Sequence, residues 1–417
     1  MVYKKRQKCA ICGNQTFSTI FNYGKVSLAG DFPKQGEKCD TFPLSLLFCN
    51  HCKLLQTDSI IDKHSLFDDY RYISSVGLAA HFDSVADLLI AKYKLNETSN
   101  VLDVGSNSAP LLKPLLNKGV KHSCGIDPAK NIVQGIKHKE SRDKTIVDYF
   151  SESSAKKHFT PHTYDLITCN NCFAHIEDIQ GVVKGVKYCL KEHGHLVIEI
   201  AYLKPQIDNL AYTNFYHEHL YYYSLSALAN LFNKYNMTIV DFEEIPVHSG
   251  SLRVHIQNGR RSGREVNNKV SARFAEEDMW GLTHRDYFND FGQRVRNNRN
   301  KIKEGLKDLK SKGKKIVGYG ASGRATMLCN YCGLGPETID YIVDESPERE
   351  GREIANMKIP IVSKDVLIND KVDYIFLFAD NFAKMIMNKL DKHNYTFLVP
   401  CPELKIIRDV KEVENSL

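Results

Sequence analysis

Between positions 216 and 223 the chain reads Tyr216-His217-Glu218-His219-Leu220-Tyr221-Tyr222-Tyr223, which gathers two imidazoles, a carboxylate and four phenols in eight residues. Histidine changes charge near neutral pH, and a neighbouring carboxylate can tune or orient its ring. Phenols can pack against a sugar or base and donate to a developing oxyanion. The density of such groups points to proton transfer. A metal site made of His217, Glu218 and His219 is a weaker reading, because the spacing is not His-Glu-x-x-His and adjacent side chains seldom converge on one ion. An aromatic cluster that only packs is the third reading. His175, in Phe173-Ala174-His175-Ile176, is a further proton-transfer candidate, against a histidine merely satisfied at a helix start.

Two cysteine pairs carry a different chemistry. Cys9-Ala10-Ile11-Cys12-Gly13 is answered by Cys49-Asn50-His51-Cys52. Each turn can aim two thiolates at one ion, and two turns complete a tetrahedral structural zinc site with no open position for catalysis. A unit this small buries a modest core, so the metal supplies folding energy. Cys169/Cys172 and Cys329/Cys332 have similar spacing but lie in apolar or Asn-containing segments, and they read as small core residues.

Further candidates require a sheet to place them. Val101-Leu102-Asp103-Val104-Gly105-Ser106-Asn107 is a short buried strand running into a turn, and Leu111, Leu112, Leu115 and Leu116 follow at helical spacing. A second strand ends at Cys124-Gly125-Ile126-Asp127-Pro128. Strand, turn, helix, strand and acid open a doubly wound α/β sheet. Asp127 is placed to hold the two ribose hydroxyls of an adenosine, with Asp103 near the same crevice. The full GxGxxG pattern is absent and only Gly105 marks the turn, so a pyrophosphate cradle is poorly supported. A later strand from Asp165 ends in Asn170-Asn171, where ligands bind in such sheets. In His248-Ser249-Gly250-Ser251-Leu252-Arg253, Ser251 and Arg253 share strand parity, and Arg253 is a candidate phosphate partner.

From about 265 to 309 the sequence is charged and mostly helical, with Phe274, Trp280 and Leu282 as anchors. Then Ile316-Val317-Gly318-Tyr319-Gly320-Ala321-Ser322-Gly323-Arg324 reads as strand, Gly-rich turn and helix start, and three more apolar strands follow. This predicts a second nucleotide-type fold whose turn can hold a phosphate through backbone amides, with a packing or oligomerisation module as the other reading. The boundaries expected are 1–66, 67–260 and 261–417.

Composition excludes several classes. The 417 residues, 42% hydrophobic and 25% charged, fit a globular protein of two or three domains. A net charge of +6 is too small to argue for nucleic acid and suits a small anionic substrate. No apolar run approaches a membrane span. The start, Met1 to Lys8, is polar and basic, which predicts a cytoplasmic chain without a secretory leader and cysteines that are ligands or buried thiols.

Taken together these motifs resemble the S-adenosylmethionine-dependent sugar C-methyltransferases, which act on nucleotide-linked 4-keto-6-deoxy sugars, typically at C3. The resemblance spans almost the whole chain. It rests on both cysteine pairs, on Asn170-Asn171-Cys172-Phe173-Ala174-His175-Ile176, on Glu199-Ile200-Ala201-Tyr202-Leu203, on Phe215-Tyr216-His217-Glu218-His219, on Gly250-Ser251-Leu252-Arg253 and on Gly318-Tyr319-Gly320-Ala321. It implies an α/β architecture of three parts: a small zinc-binding module, a class I methyltransferase Rossmann-like domain and a second, C-terminal Rossmann-like domain that helps to hold the sugar nucleotide. His219 resembles the family's base, with Glu218 beside it. Tyr70, His175 and Tyr216 resemble residues lining the sugar pocket. Asp103, Gly105, Asn107, Asp127 and Asn170 fall on the cofactor side. Tyr222, His248, Ser251, Arg253 and Gly320 are the remaining candidates for substrate contact. The implied cofactors are S-adenosylmethionine and structural zinc, and the implied substrate is a deoxythymidine or guanosine diphosphate keto-sugar. The family's Asn-Asp-Gly after the first strand is here Asn107-Ser108-Ala109, its usual first-strand Glu is Asp103, and its His-Gly-Gly-Ser is His248-Ser249-Gly250-Ser251. Rival readings are a sugar O- or N-methyltransferase, a keto-sugar epimerase-like enzyme, and a zinc-containing module that binds nucleic acid or protein.

Overall fold

Val101, Leu102, Leu166, Ile167, Val197 and Ile198 are all buried, on both faces of their strands. Apolar runs of this kind form parallel strands covered on both sides by helices. In the computed structural model, which describes residues 3–68, 78–247, 249–259, 266–390 and 395–408, they form the middle of a seven-stranded sheet. Its spatial order is Met237–Ile245, Ser251–Asn258, Leu190–Ala201, Tyr164–Asn170, Asn100–Val104, His122–Ile126 and Thr145–Ile146. Ser251–Asn258 runs antiparallel to both neighbours, and the other pairs are parallel. The chain direction of winding reverses between Asn100–Val104 and Tyr164–Asn170. The crevice beyond the carboxyl ends of those two strands is where such sheets bind ligands.

A second sheet of six strands has the order Ile361–Val362, Ile342–Val343, Ile316–Tyr319, Tyr374–Leu377, Thr396–Val399 and Lys405–Ile407. Only the last pair is antiparallel. Numbered along the chain this is 3-2-1-4-5-6, the order of dinucleotide-binding folds, so the predicted second nucleotide-type unit is present. The charged stretch before it forms helices Asn268–Met279 and Asn289–Ser311. Phe291, Val295, Ile302 and Leu306 make the buried stripe of the longer helix. Asn298, also buried, accepts from Tyr212 Oη at 2.8 Å and donates to the Pro400 carbonyl at 2.7 Å.

The N-terminal part holds a third sheet, antiparallel, in the order Tyr221–Tyr222, Leu55–Thr57, Thr41–Cys49 and Phe17–Ser27. Its edge strand comes from far along the chain, directly after the Tyr216–His219 turn. Nothing in the residue pattern of 1–66 announces that partner. One continuous apolar cluster runs from Ile11 and Phe48 through Phe173 and Tyr223 to Ile316 and Phe376, so these three larger sheets share a core; a two-stranded pair, Tyr3–Lys5 with Ser59–Ile61, lies beside them. Among the described residues no helix is long and apolar enough to cross a membrane.

Candidate active site

Two tight turns bring the four N-terminal cysteines together. Gly13 N donates to the Cys9 carbonyl and Lys53 N to the Cys49 carbonyl, both at 2.9 Å, and Gly13 and Lys53 take left-handed φ of 74° and 66°. The sulfurs of Cys9 and Cys52 lie 3.3 Å apart, those of Cys12 and Cys49 lie 3.5 Å apart, and all four fall within 4.8 Å of one another. Zinc–sulfur bonds of about 2.3 Å in a tetrahedron place sulfurs roughly 3.8 Å apart, so this donor set fits zinc. Cys169, Cys172, Cys329 and Cys332 are free thiols; Cys169, Cys329 and Cys332 are buried in the core, and Cys172 is partly buried against it.

At the cofactor crevice, Gly105 takes φ +71°, and a Cβ there would stand 2.4 Å from the Cys172 sulfur. Only glycine fits. The turn that follows keeps a left-handed form, with Asn107 at φ +47° and Ala109 at φ +60°. Asp127 accepts from the Asn107 amide at 2.8 Å and the Ala129 amide at 2.9 Å, and burial raises its carboxyl above the usual range. Asn170 ends its strand on the crevice wall with both amide atoms buried and without a hydrogen-bond partner. A buried amide left in that state costs roughly 1–3 kcal/mol per group. A ligand that offers an ammonium and a carboxylate, as the methionine end of S-adenosylmethionine does, satisfies both atoms, and the crevice fits that cofactor.

Asp103 takes a different place from the one expected. It does not line the cavity; it lies beneath the crevice, accepts from Thr168 Oγ1 at 2.7 Å, and is pushed up to about 7 by burial. Its ordinary value is 3.8, so the folded chain holds a proton that the unfolded chain releases at lower pH. Its contribution to stability is full below pH 3.8 and is lost as pH rises toward 7. Replacing Asp103 with Asn should therefore stabilise the variant relative to the parent as pH rises across that window, by up to about 1.4 kcal/mol per pH unit. Urea unfolding at several pH values checks this, and a pH-independent difference counts against it.

Ala109 occupies the position where the family's glycine stands, and it is buried. Relief of left-handed strain on Ala109→Gly, about 1 kcal/mol, is offset by the lost methyl, about 0.8 kcal/mol. Ala109→Gly should leave stability within about 0.5 kcal/mol, whereas Ala109→Val should cost about 2 kcal/mol or more. Paired denaturation curves test both.

The Tyr216–His219 turn faces the same cavity, which has a volume of about 2270 Å³ and is lined by all three sheet units. His219 Nδ1 lies 3.1 Å from the Asn214 carbonyl, which can only accept. Nδ1 therefore carries the hydrogen, and Nε2 is the basic nitrogen of the neutral ring. Nε2 sits 3.0 Å from Tyr216 Oη, and the two rings stack at 4.1 Å. The His175 ring meets the His219 ring edge-on at 4.7 Å. Glu218 Oε1 accepts from the Gly30 amide at 3.1 Å, Oε2 is buried without a hydrogen-bond partner, and burial pushes the carboxyl up to about 7. His217 is a packing residue: it is fully buried, its Nε2 meets the Pro43 carbonyl at 3.1 Å, and burial lowers its pKa. This geometry disperses the three candidate metal ligands of the turn.

Several expected substrate contacts fall elsewhere. Arg253 is not free for a phosphate. It stands directly opposite Glu199 on one neighbouring strand and Glu243 on the other, and pairs with them at 2.6 and 2.8 Å. Burial alone would raise the Glu199 carboxyl, but His81 at 2.8 Å and Arg253 outweigh it and hold Glu199 below its usual value. Ser251 is buried and donates to the Val247 carbonyl at 2.8 Å, closing the turn between two strands. Tyr222 reaches the cavity wall, but its hydroxyl accepts from the Tyr216 amide at 3.1 Å and braces the turn. Gly320 has φ +91° and lies against Ala379 outside the cavity lining. Tyr70 and His248 lie outside the described residues.

Two arginines on the cavity wall were not among the expected substrate contacts. Arg324 pairs with Asp380 at 2.5 Å, and Arg349 donates to the Ala321 carbonyl at 2.7 Å while lying over the Phe32 ring. Arg324 stood in the Gly-rich turn that was singled out; Arg349 follows the strand end at Asp344, where only the finished sheet brings it to the cleft.

Three families match successive parts of the chain: "Putative zinc binding domain" over residues 9–67, "Methyltransferase domain" over 70–241 and "C-methyltransferase C-terminal domain" over 246–402. The C-methyltransferase NovU of Streptomyces niveus is 29% identical over 411 residues, covering 96% of each chain. The phosphoethanolamine N-methyltransferase of Plasmodium falciparum (isolate 3D7) is 29% identical over 145 residues, which cover 34% of this chain and 52% of its own. Among solved structures, a SAM dependent methyltransferase from Aquifex aeolicus shares 15% identity with a TM-score of 0.34, over 43% of this chain and 98% of its own. With a zinc knuckle, a methyltransferase sheet and a C-methyltransferase C-terminal unit in sequence along one chain, the matches together support an S-adenosylmethionine-dependent C-methyltransferase.

Proposed function

We propose that the chain methylates a carbon, C3, of a nucleotide-linked 4-keto-6-deoxy sugar, with His219 as the base. The observation that carries this reading is the tautomer of His219: the Asn214 carbonyl fixes hydrogen on Nδ1 and leaves a basic Nε2 facing the cleft. A 4-keto group acidifies the hydrogen on C3. His219 Nε2 takes that proton, and the negative charge moves to the C4 oxygen. Once protonated, Nε2 becomes a donor to Tyr216 Oη, which frees the phenolic hydrogen to turn toward the new oxyanion. His175, ring to ring with His219, is the second donor within reach of that oxygen. S-adenosylmethionine, when bound, supplies the electrophilic methyl group. Asn170, the Asn107 turn and Asp127 hold it at the carboxyl ends of the strands, so that two reactants meet aligned and shielded from water.

The nucleotide reading rests on the reach of the cavity. It extends from the cofactor crevice past Tyr216 and His219 to Ser322, Gly323, Arg324 and Arg349 at the winding reversal of the second sheet. Helix Gly323–Cys332 starts there, and Ser322 Oγ at its N-terminus is buried without a hydrogen-bond partner. Backbone amides and a hydroxyl suit a diphosphate, with Arg324, itself paired with Asp380, and Arg349, 3.3 Å from Asp344, adding positive charge beside them. Glu218, with a carboxyl near neutrality, is placed to exchange hydrogen bonds with a sugar hydroxyl or amine. The test is incubation with S-adenosylmethionine and a panel of nucleotide keto-sugars, followed by mass spectrometry and NMR. A single new methyl on C3 is expected. A methyl on oxygen or nitrogen, or no turnover with any keto-sugar of the panel, overturns the proposal.

A further inference from the structure

Gln180 is the second residue of helix Ile179–Cys189, which begins just after the His175 loop. Its side chain works in two directions. Nε2 donates to the Ala10 carbonyl at 2.8 Å, inside the Cys9–Cys12 turn. Oε1 accepts from Lys234 Nζ at 3.1 Å and from Tyr235 Oη at 2.8 Å. Lys234 and Tyr235 close helix Leu225–Asn233, which begins just after the Tyr216–Tyr222 segment. Lys234 Nζ also donates to the Ile11 carbonyl at 2.5 Å, and Asn230 Nδ2 to the Cys52 carbonyl at 3.2 Å.

Both cysteine turns therefore present backbone carbonyls to side chains of these two helices. The carbonyls belong to ligand residues, or to residues lying between ligands, so the convergence of the four sulfurs fixes where they point. The helices in turn carry the catalytic loops at their N-terminal ends. Asp178 caps the first by accepting from Gly181 N at 2.9 Å, and Ser224 caps the second by accepting from Ala227 N at 3.1 Å. The loops meet each other directly, because Leu220 N donates to the Ala174 carbonyl at 2.9 Å and the His175 and His219 rings touch.

We propose that Gln180 is a positioning residue that couples the cysteine knuckle to the spacing of His175 and His219. The role needs a donor and an acceptor on one side chain of this length, which an amide provides and neither methionine nor glutamate reproduces. The link to turnover rests on His219 being the base; the mechanical coupling does not.

The test compares the full-length, zinc-loaded protein with Gln180→Met, which keeps the length and removes the hydrogen bonds. Zinc content, S-adenosylmethionine affinity, kcat, KM and amide exchange at His219 and Leu220 are measured. Gln180→Met should keep its zinc and bind the methyl donor within about twofold of the parent. Its kcat should fall about tenfold with KM little changed, and exchange at His219 and Leu220 should quicken. Lys234→Met, which removes the donors to Ile11 and to Gln180, should give the same pattern and serves if Gln180→Met does not fold. Faster exchange at His219 and Leu220 with an unchanged kcat supports the mechanical coupling and overturns its link to turnover. Exchange that quickens only at residues 9–14 and 49–56, with parental kcat, overturns the proposal and leaves Gln180 a simple fastening for the knuckle.

Discussion

Replacing His219 with Asn should lower kcat by about a thousandfold or more and abolish solvent hydrogen exchange at the substrate's C3, while S-adenosylmethionine still binds within about twofold of the parent affinity. The size follows from the usual worth of a positioned general base, about 10²–10⁴ in rate. Asn is the informative choice because its amide can still donate to the Asn214 carbonyl, as Nδ1 does at 3.1 Å. The turn keeps its shape and only the basic nitrogen is lost. The crevice at Gly105, Asn107 and Asn170 is built from other strands, so methyl-donor binding is insulated from the change. Deuterium incorporation at C3, followed by NMR in the presence and absence of the methyl donor, separates proton removal from methyl transfer. Parental exchange and turnover in the variant would sink the assignment of the base.

Loss of the knuckle should have a comparably large effect by another route. A structural zinc site can hold roughly 10–16 kcal/mol of binding energy, against a net stability of about 5–15 kcal/mol for a whole domain. Cys49→Ser removes one of four sulfurs that lie within 4.8 Å of one another, and leaves three thiols crowded without the ion that draws them together. The variant should lose its metal, unfold at a substantially lower temperature and lose activity, with a stability cost above about 3 kcal/mol. Metal analysis alongside calorimetry measures this. A Cys49→Ser protein that is metal-free yet melts at the parental temperature would show that the knuckle stands on its apolar packing alone.

The cysteine knuckle and the cofactor strand were the most legible parts of the sequence, because each is announced by short local patterns. The cysteine turns need only spacing, and the strand carrying Gly105 and the acid at 127 need only local hydrophobic pattern. Arg253 was read differently from the sequence than from the structure, for a reason local pattern cannot supply. Strand parity gives the face a side chain occupies, but Glu199 and Glu243 become its neighbours only when Ser251–Asn258 slots between two other strands in one register. The same holds for Asp103, whose acid sits in the right strand but points beneath the crevice to Thr168. His217 and His219 look equivalent in sequence. They part company because the chain reverses between them, with His219 N donating to the Tyr216 carbonyl at 3.0 Å, so that one ring enters the packing of Phe42 and Pro43 and the other faces the cleft. The departure at Ala109 reads as a loss in sequence, yet the backbone keeps the left-handed form that the family's glycine permits.

The loan of Tyr221–Tyr222 to the sheet of the first 57 residues has a consequence for how the molecule is made. A nascent chain can fold the cysteine turns early, but their sheet keeps an open edge until residue 222 has left the ribosome. Until then Leu55–Thr57 offers unpaired backbone to any passing strand. A cut between residues 66 and 67 would therefore release two incomplete pieces, and neither a transplanted knuckle nor a knuckle-free enzyme should behave as a well-folded protein.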